Sequence, residues 1–380
     1  MQAVLNYFTL DKGWSQPLPA LDSPQTLVIV FCHPEFKHYQ TALEDIHRYY
    51  AQSIIVGCSS SASIFYGRII EEGLVIGIVR FHKTRLQASS ARLPSPYDSW
   101  QAGKQLAKQL HQPDLKGVLL LSDGLYTNGV ELLRGLTDHL LHSVPIVGGL
   151  ASDGGRFQET WVLHQGKPTA QIVYAIGFYG HDILIKGYAA DGWKLFGLQR
   201  KVTRSTQNTL YEIDHRPALQ IYKHYVGDQC KHSRDFSIYF PMAVWPQDNT
   251  HYVVRTIFNV DEETQSMNFA SDIPEGSKIQ FMYGNTDSLV EGAETAIQTI
   301  LHQLKTPDQP LLSLAFSCVG RKLMMEDETD QELTVMLDCL PKDSWQLGFY
   351  SYGELGPIAD QAQYSLHNET MTLMVIYEKN

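Results

Sequence analysis

The sequence lacks the motifs that mark several large functional classes. It contains no P-loop, no GxGxxG run, no GxSxG nucleophile elbow and no HExxH pair. Lys/Arg-rich patches are also absent, and 30 Lys and Arg against 41 Asp and Glu give a formal charge of -11. The missing motifs lead us to expect no common nucleotide site, no standard hydrolase site and no metal site. We also expect no nucleic-acid partner, because binding to phosphates needs clustered cations.

Long apolar runs and paired cysteines are missing too. The longest apolar runs, GVLLL and LVIGIV, are far shorter than the roughly 20 residues of a membrane helix. The N-terminal MQAVLNYFTLDKGW lacks the basic and apolar regions of a signal peptide. The five cysteines are an odd number without CxxC spacing: Cys32, Cys58, Cys230, Cys318 and Cys339. These features predict reduced thiols, a cytoplasmic location, no membrane insertion and no cofactor.

What the sequence does contain is a regular alternation of short Val/Ile/Leu-rich runs with helical patterns. This alternation predicts an α/β (α+β mixed) fold, in which mixed β-sheets are layered with helices. A length of 380 residues with 43% apolar content predicts two domains. Polar residues cluster in RSTQNTLYEIDHRP, and we place the boundary there, between domains 25–215 and 216–380.

Three segments repeat the order strand, helix, strand, strand. They begin at TLVIVFC, GVLLLSDG and PLLSLAFSC and continue through GCSSSASI, GGLASDGG and GFYSYGELG. Each has a glycine with a small residue three positions later: Gly57 and Ser60, Gly148 and Ala151, Gly348 and Ser351. The similarity predicts a repeated unit, although chance likeness between α/β units would look the same. Strands that end this way leave backbone N–H groups open to a ligand.

The same motifs carry a family resemblance. GCSSSASI, SDGLYTNGVELLRGL, VPIVGGLASDGG, FSCVGR and GFYSYGELGP together resemble the FIST family, named for F-box and intracellular signal-transduction proteins. The resemblance covers roughly residues 25 to 377, with a FIST N-terminal domain followed by a FIST C-terminal domain. It implies a sensory module that binds small ligands such as amino acids, with no catalytic residues. No F-box or kinase segment fits outside the matched region, so the output partner is expected to be a separate signalling protein.

The stretch GFYSYGELGP supplies the first candidate site residues. Tyr350 and Tyr352 fall on one face of an extended segment and could wall a pocket, and Glu354 could receive a ligand ammonium group. The alternative is a tight turn, with the tyrosines in a core and Glu354 capping backbone N–H groups. Both interpretations stay open from sequence alone.

The motif FSCVGR supplies the second pair of candidates. Cys318 follows a strand, and Arg321 offers the forked guanidinium that suits a carboxylate. The alternatives are a buried small side chain at Cys318 and a structural salt bridge at Arg321.

Two further turns complete the candidate ligand site. GCSSSASI presents Cys58, Ser59, Ser60 and Ser61, whose hydroxyl and amide groups suit a small anion. GGLASDGG presents Asp153, which could pair with an ammonium group. Helix capping and an Asx-turn explain these two motifs equally well.

These residues lead to one favoured hypothesis. Loops from both halves converge on a cleft that binds a small charged metabolite, with an amino acid favoured by the resemblance. Arg321 and the serines would hold its carboxylate, and Glu354 or Asp153 its ammonium group. On this hypothesis Arg321→Ala or Glu354→Ala weakens binding and leaves the fold intact.

Two rival hypotheses remain. In the first, the protein is an enzyme with a Cys318 or Cys58 thiolate nucleophile and a histidine base, for which His33 beside Cys32 is the local candidate. In the second, the chain is a protein-interaction scaffold without a ligand pocket.

Overall fold

The computed structural model describes residues 1–227, 238–246, 250–305, 309–358 and 363–379. Cys230 lies outside these residues. The α-helices are α1 (Gln40–Tyr49), α2 (Ser99–Leu110), α3 (Gly129–Thr137), α4 (Ala218–Val226), α5 (Thr286–Leu304), α6 (Val319–Met325) and α7 (Asp330–Cys339). In the described part of the chain, no helix is both long and apolar enough to cross a membrane.

The strands are β1 (Gln2–Thr9), β2 (Gly13–Trp14), β3 (Thr26–Cys32), β4 (Ile54–Ser59), β5 (Ser63–Phe65), β6 (Arg68–Ile70), β7 (Leu74–Arg80), β8 (Arg85–Arg92), β9 (Leu115–Ser122), β10 (Ile146–Leu150), β11 (Val162–His164), β12 (Lys167–Thr169), β13 (Ile172–Tyr179), β14 (Ile183–Ala190), β15 (Lys194–Thr206), β16 (Thr209–Ile213), β17 (Arg216–Pro217), β18 (Met242–Trp245), β19 (Val253–Arg255), β20 (Ile257–Asp261), β21 (Ser266–Phe269), β22 (Lys278–Tyr283), β23 (Leu312–Cys318), β24 (Trp345–Ser351), β25 (Glu354–Ile358), β26 (Gln363–His367) and β27 (Met371–Glu378).

Three of the sheets share one topology. Their strand orders are β12-β11-β4-β3-β7-β1-β2 in sheet I, β26-β25-β10-β9-β13-β8 in sheet II and β14-β27-β23-β24-β5-β6 in sheet III. In each, the first strand of a repeated segment (β3, β9, β23) has the second strand parallel on one side. It has a later strand antiparallel on the other side. The predicted repeat is therefore a repeat of sheet topology.

The sheets are tied together by a cyclic exchange of hairpins. After β4 in sheet I the chain crosses to form β5 and β6 on the edge of β24 in sheet III. After β24 it crosses to form β25 and β26 on β10 in sheet II. After β10 it crosses to form β11 and β12 on β4 in sheet I. Each repeat thus completes the sheet of another, and no sheet of the three is complete without its neighbours.

One core fills the space between these sheets. Its buried side chains come from all three, for example Phe31 of sheet I, Leu121 of sheet II and Phe349 of sheet III. The rings of Phe31 and Phe349 lie 4.8 Å apart, centroid to centroid. The outer faces are covered by helices: α1 on sheet I, α2 and α3 on sheet II, and α5 and α7 on sheet III. Burial of apolar surface on both faces explains why the strands are nearly continuous in Val, Ile and Leu.

The three glycines noted in the sequence sit where neighbouring strands approach most closely. A Cβ atom on any of them would overlap a backbone carbonyl oxygen of the adjacent parallel strand. The added Cβ would lie 2.1 Å from Val30 O at Gly57, 1.7 Å from Leu120 O at Gly148 and 1.8 Å from Ala315 O at Gly348. Only glycine fits there, because the overlapping atom belongs to the backbone.

A fourth sheet lies outside this arrangement. Sheet IV has the order β19-β18-β22-β15-β16-β21-β20, with β17 on β16, and α4 packs on it with Leu219 and Tyr222 buried. The chain enters it after β14 and returns to sheet III through α5 and β23. Sheet IV thus stands beside the core as an insertion between the second and third repeats.

The predicted α/β (α+β mixed) class is confirmed, with sheets layered against helices. The helical sequence patterns GVELLRGLTDHLLH, LQIYKHYVG, SLVEGAETAIQTILHQL and DQELTVMLDCL predict four helices, and these are present as α3, α4, α5 and α7. The pattern does not predict helix α2, and residues 236–237 of the strand-like run FSIYFPMAVW lie outside the described residues. Sheets II and III combine strands from both sides of residue 215. The division into domains 25–215 and 216–380 stays a prediction.

Candidate functional site

The three strand crossings meet in the middle of the molecule. The Ser61 backbone N–H donates to Ser152 Oγ at 2.7 Å, and that hydroxyl donates to Tyr350 O at 2.5 Å. The Gly154 N–H donates to Ser61 Oγ at 2.9 Å. GCSSSASI, GGLASDGG and GFYSYGELGP therefore do come together. Their polar groups are bonded mainly to one another, so these crossings close a structural hub.

The remaining groups of the serine turn have internal partners as well. Ser59 Oγ accepts the backbone N–H of Trp161 at 3.2 Å, and Ser60 Oγ donates to Ala62 O at 2.5 Å. Both serines are buried. Only Ser61 of the three is partly exposed.

Asp153 organises the loop after the second crossing. Its carboxylate accepts the backbone N–H groups of Phe157, Gln158 and Glu159 at 2.8 to 2.9 Å and the hydroxyl of Tyr352. Burial opposes ionisation, but these hydrogen bonds outweigh it and lower the pKa of Asp153. The carboxylate is thus occupied by its own loop, although its backbone donors lie four to six residues on and not the two residues of an Asx-turn.

Glu354 lies between two crossings. Its carboxyl accepts the hydroxyl of Ser351 at 2.5 Å and the hydroxyl of Thr370 at 2.9 Å, and its side chain is fully buried. Burial raises the pKa of Glu354 to about 8, despite these bonds. Glu354 therefore ties the outgoing strand β24 to the returning strand β27.

Arg321 is equally enclosed. Its guanidinium donates two hydrogen bonds to one oxygen of Glu332, Oε2, from Nε at 3.0 Å and from Nη2 at 2.6 Å, and both side chains have no exposed surface. Nη1 donates to Asp191 O at 2.6 Å, and Tyr350 donates its hydroxyl to Glu332 at 2.8 Å. This geometry argues against the expectation of an intact fold without Arg321, because its loss would leave Glu332 buried and uncompensated.

An open cleft of about 510 Å³ lies beside the hub, where sheet IV faces the loops that follow β9, β10 and β23. One wall is formed by residues of the first half of the chain together with Tyr352, and the other by residues of sheet IV and α6. The lining residues are Gly124, Leu125, Thr127, Leu150, Gly155, Phe157, Asn208, Ile238, Thr256, Ile257, Phe258, Phe269, Ala270, Cys318, Val319, Gly320, Leu323, Tyr352, Asn368 and Glu369. Its volume is typical of small-molecule sites.

The floor of the cleft is the loop between β26 and β27. Glu369 there is only 1% exposed and has a left-handed φ of 56°. One carboxyl oxygen, Oε1, accepts the Thr256 hydroxyl at 2.9 Å. Within the described part of the chain, Glu369 Oε2 and Asn368 Oδ1 have no hydrogen-bond partner, although both atoms are buried. Two adjacent acceptors are thus left for something that enters the cleft.

The carboxylate of Glu369 fits because its neighbour is glycine. A Cβ on Gly320 would lie 2.1 Å from Glu369 Oε1. Burial raises the pKa of Glu369 to about 7, against the hydrogen bond from Thr256 and the charge of Arg321, which lower it. The side chain therefore changes charge near neutral pH.

Cys318 also lines the cleft, but as a thiol. It is 5% exposed, and burial, together with the charges of Glu369 and Glu354, raises its pKa well above the usual value. Backbone N–H groups of Glu369 and Gly320 act in the opposite direction, and burial prevails. Burial likewise raises the pKa of Cys58. Thiolate chemistry is disfavoured at both cysteines.

The histidine proposed as a base lies elsewhere. His33 packs against Tyr39, with ring centroids 6.1 Å apart, and does not line the cleft that holds Cys318. Across the described residues, no three or more His, Cys, Asp or Glu side chains are grouped so as to hold a metal ion.

Aromatic side chains form the mouth of the cleft. Phe157 stacks on Tyr352 with centroids 4.4 Å apart and meets Phe258 edge-on at 4.9 Å. Phe157 is 42% exposed and Phe258 is 40% exposed. Exposed, contiguous aromatic surface beside a concave site is typical of a binding surface.

Family models match both parts of the chain. The FIST N domain matches residues 26–216, and the FIST C domain matches residues 218–357. The chain belongs to the FIST family. FIST domains are sensory domains of signal-transduction proteins. In these terms the cleft combines FIST N residues such as Phe157 with FIST C residues such as Phe258 and Cys318, and Glu369 lies just beyond the FIST C match.

Curated relatives of this FIST protein include uncharacterised proteins of an archaeon and a bacterium. A protein of Methanocaldococcus jannaschii is 23% identical over 301 residues, which cover 71% of this chain and 55% of the relative. A protein of Mycobacterium tuberculosis, matched in strains CDC 1551 and H37Rv, is 23% identical over 256 residues, or 64% of either chain. This chain therefore spans between half and two thirds of the length of these relatives.

The sequence motifs indicated Cys318 and Tyr352, which line the cleft, but they did not indicate the other residues of its floor and mouth. Asn368, Glu369, Thr256, Phe157 and Phe258 were not among the candidates. The available signal was weak: a polar HNET run that overlaps the end of the strand-like run QYSLHN and the start of the run TMTLMVIYE. Nothing in that run indicates that Glu369 would be buried.

The buried ion pair gives the first prediction. We expect Arg321→Ala to lower the free energy of unfolding by about 3 to 5 kcal/mol, because Glu332 would remain buried without its partner. Lys322→Ala removes the adjacent, partly exposed pair with Glu71 and should cost at most about 1 kcal/mol. Urea unfolding of both variants measures the difference, and equal small losses would contradict the structural role of Arg321.

The burial of the cysteines gives the second prediction. We expect iodoacetamide to modify Cys58 and Cys318 in the folded protein at least about tenfold more slowly than in urea, because burial excludes the reagent and suppresses the thiolate. Partly exposed Cys339 serves as the internal control. Peptide mass spectrometry resolves each site, and a Cys318 that reacts fastest in the folded state would revive the thiolate enzyme.

The third prediction concerns the pH dependence of stability. The pKa of Glu354 in the folded protein, about 8, lies above its ordinary value of 4.5, so its ionisation destabilises the fold increasingly as pH rises from 4.5 to 8. Glu354→Gln should therefore gain stability relative to the unmodified protein, by about 1.4 kcal/mol per pH unit at most across that window.

Glu378→Gln is the matched control for that pH series. Hydrogen bonds, among them those from His82 and Thr84, lower the pKa of Glu378 to about 2 despite its burial. Its stabilisation is complete above pH 4.5, so the difference from the unmodified protein should stay constant from pH 5 to 7, where the N-terminal ammonium group that pairs with Glu378 keeps its proton. Thermal unfolding at several pH values measures both differences, and parallel curves for Glu354→Gln would refute the raised pKa.

Proposed function

We propose that this FIST protein is a sensor that binds a small charged metabolite in the cleft between its FIST N and FIST C segments. The observation that carries the proposal is the pair of buried acceptors without partners, Glu369 Oε2 and Asn368 Oδ1, at the floor of that cleft. Leaving such groups unpaired costs about 1 to 3 kcal/mol each. A ligand that donates hydrogen bonds there would recover this free energy.

The position of the cleft supports a sensing mechanism. The cleft lies between the loops of the hub and the inserted sheet IV, with Phe157 on one side and Phe258 on the other. A ligand that contacts both sides stabilises one relative arrangement at the expense of others. A separate cytoplasmic signalling protein would then recognise the arrangement that the ligand favours.

The recognition residues in this proposal differ from those that the motifs indicated. Arg321, Glu354, Asp153 and the turn Ser59–Ser61 hold the hub together, and they shape the cleft from behind. Cys318 and Tyr352 line it directly. An amino acid is the ligand class implied by the family, and it belongs among the compounds to be tested.

A thermal-shift screen tests the proposal. We expect at least one compound in a library of amino acids, amines and organic acids to raise the melting temperature, since ligand at 100 times its Kd adds about 2.7 kcal/mol of stability. Phe258→Ala should weaken the hit by about tenfold or more, through loss of apolar contact. Tyr97→Ala, an exposed aromatic that does not line the cleft, should leave the affinity unchanged.

A flat screen, or a hit that both variants bind equally well, would rule out the cleft as a sensor site. Calorimetry on the hit separates binding from any nonspecific effect on melting.

A further inference from the structure

We infer that the ligand of the cleft is an organic cation with an aromatic or apolar body, a primary amine for example, and that it carries no carboxylate. This inference rests on the proposed function, since it names the chemical class that the same cleft would recognise. It departs from the amino acid that the family resemblance implies.

The charge of the lining is the first argument. Among the described residues that line the cleft, Glu369 is the one ionisable side chain of Asp, Glu, Lys, Arg or His type. No described lining side chain offers a positive charge to a carboxylate. A ligand with both charges would bring its carboxylate into the field of Glu369 without a partner, and desolvating that group is costly.

The free acceptors are the second argument. Glu369 Oε2 and Asn368 Oδ1 come from adjacent residues, and both need donors. An ammonium group has three donors and no acceptor capacity. It can therefore supply donors to such acceptors and neutralise the carboxylate, which a neutral donor cannot do.

The aromatic mouth is the third argument. Phe157, Phe258, Phe269 and Tyr352 line the space above these acceptors. Their faces attract cations, and their area suits an apolar ligand body. An ammonium group on the floor with a ring packed against the aromatic side chains would use both the floor and the mouth of the cleft.

Three matched probes test the inference by calorimetry: phenethylamine, L-phenylalanine and 3-phenylpropionate. They share a benzyl body and carry an ammonium group, both charges, and a carboxylate, respectively. We expect phenethylamine to bind at least about tenfold more tightly than phenylalanine, and phenylpropionate not to bind measurably. Glu369→Gln should weaken phenethylamine by about tenfold or more, as expected for a lost charge-assisted hydrogen bond.

Asn368→Ala provides a second variant should Glu369→Gln fold poorly, and it should also weaken phenethylamine. Binding should tighten as pH rises through about 7, because Glu369 ionises there while the amine stays protonated. The buried groups that face Glu369 are Arg321, Glu354 and Cys318. Loss of the pH dependence in Glu369→Gln assigns it to this residue.

The outcomes separate the inference from the proposed function. Phenylalanine or phenylpropionate binding more tightly than phenethylamine would overturn the inference, as would phenethylamine binding that Glu369→Gln leaves unchanged. If Phe258→Ala abolishes the binding seen in any of these cases, the proposed sensor cleft is supported and only the inferred ligand class is wrong. If no library compound needs Phe258 to bind, both the sensor cleft and the ligand class are wrong.

Discussion

The structure depends on three strand crossings that have to meet. Each of sheets I, II and III obtains its outer hairpin from another repeat, so the chain leaves every sheet at the end of its second strand. The crossing segments carry backbone groups that no sheet can pair, and Ser60, Ser152 and Gly353 within them are buried. Buried backbone polar groups need partners, and these segments supply them to one another, as when Tyr352 N–H donates to Leu150 O at 3.1 Å and Leu150 N–H to Gly353 O at 2.9 Å. Small residues are required in these segments because all three crossings converge at the hub.

The hub also explains the unusual number of buried acids nearby. Glu354 joins the outgoing crossing at Ser351 to the return at Thr370, and Glu332 joins Arg321 on α6 to Tyr350 on β24. Such groups contribute little net stability over apolar residues of the same shape. They do fix which strands are joined, because a shifted crossing would leave a carboxyl group without its partners. The hub therefore specifies the exchange of hairpins through paired polar groups.

Local pattern predicted the fold better than it predicted the site. The helices and the parallel strand pairs depend on periodicity within ten or so residues, and the three glycines were visible as a repeat. The site depends on pairs that are distant in sequence. Arg321 looked like a ligand-binding residue because Glu332, on the next helix, was not recognised as its partner. Glu369 was overlooked because its partner Thr256 is 113 positions away and because nothing local indicates burial. A sequence shows which charges exist, while the fold decides which are already paired.

That distinction singles out the loop between β26 and β27. Glu354, Glu332 and Asp153 are buried acids whose oxygens all have partners in the hub, and their role is complete without a ligand. Glu369 combines a left-handed backbone, costing about 1 kcal/mol, with an acceptor that has no described partner, costing about 1 to 3 kcal/mol. Trp193 Nε1–H donates to Glu369 O at 3.0 Å, and the neighbouring Thr370 donates to Glu354. The loop is thus held from behind by the linker to sheet IV and by the hub, so it retains a conformation that it would not adopt alone. Strain and unpaired polarity that a rigid surrounding maintains are typical of functional sites, and here they face an aromatic-lined cleft that both FIST segments form.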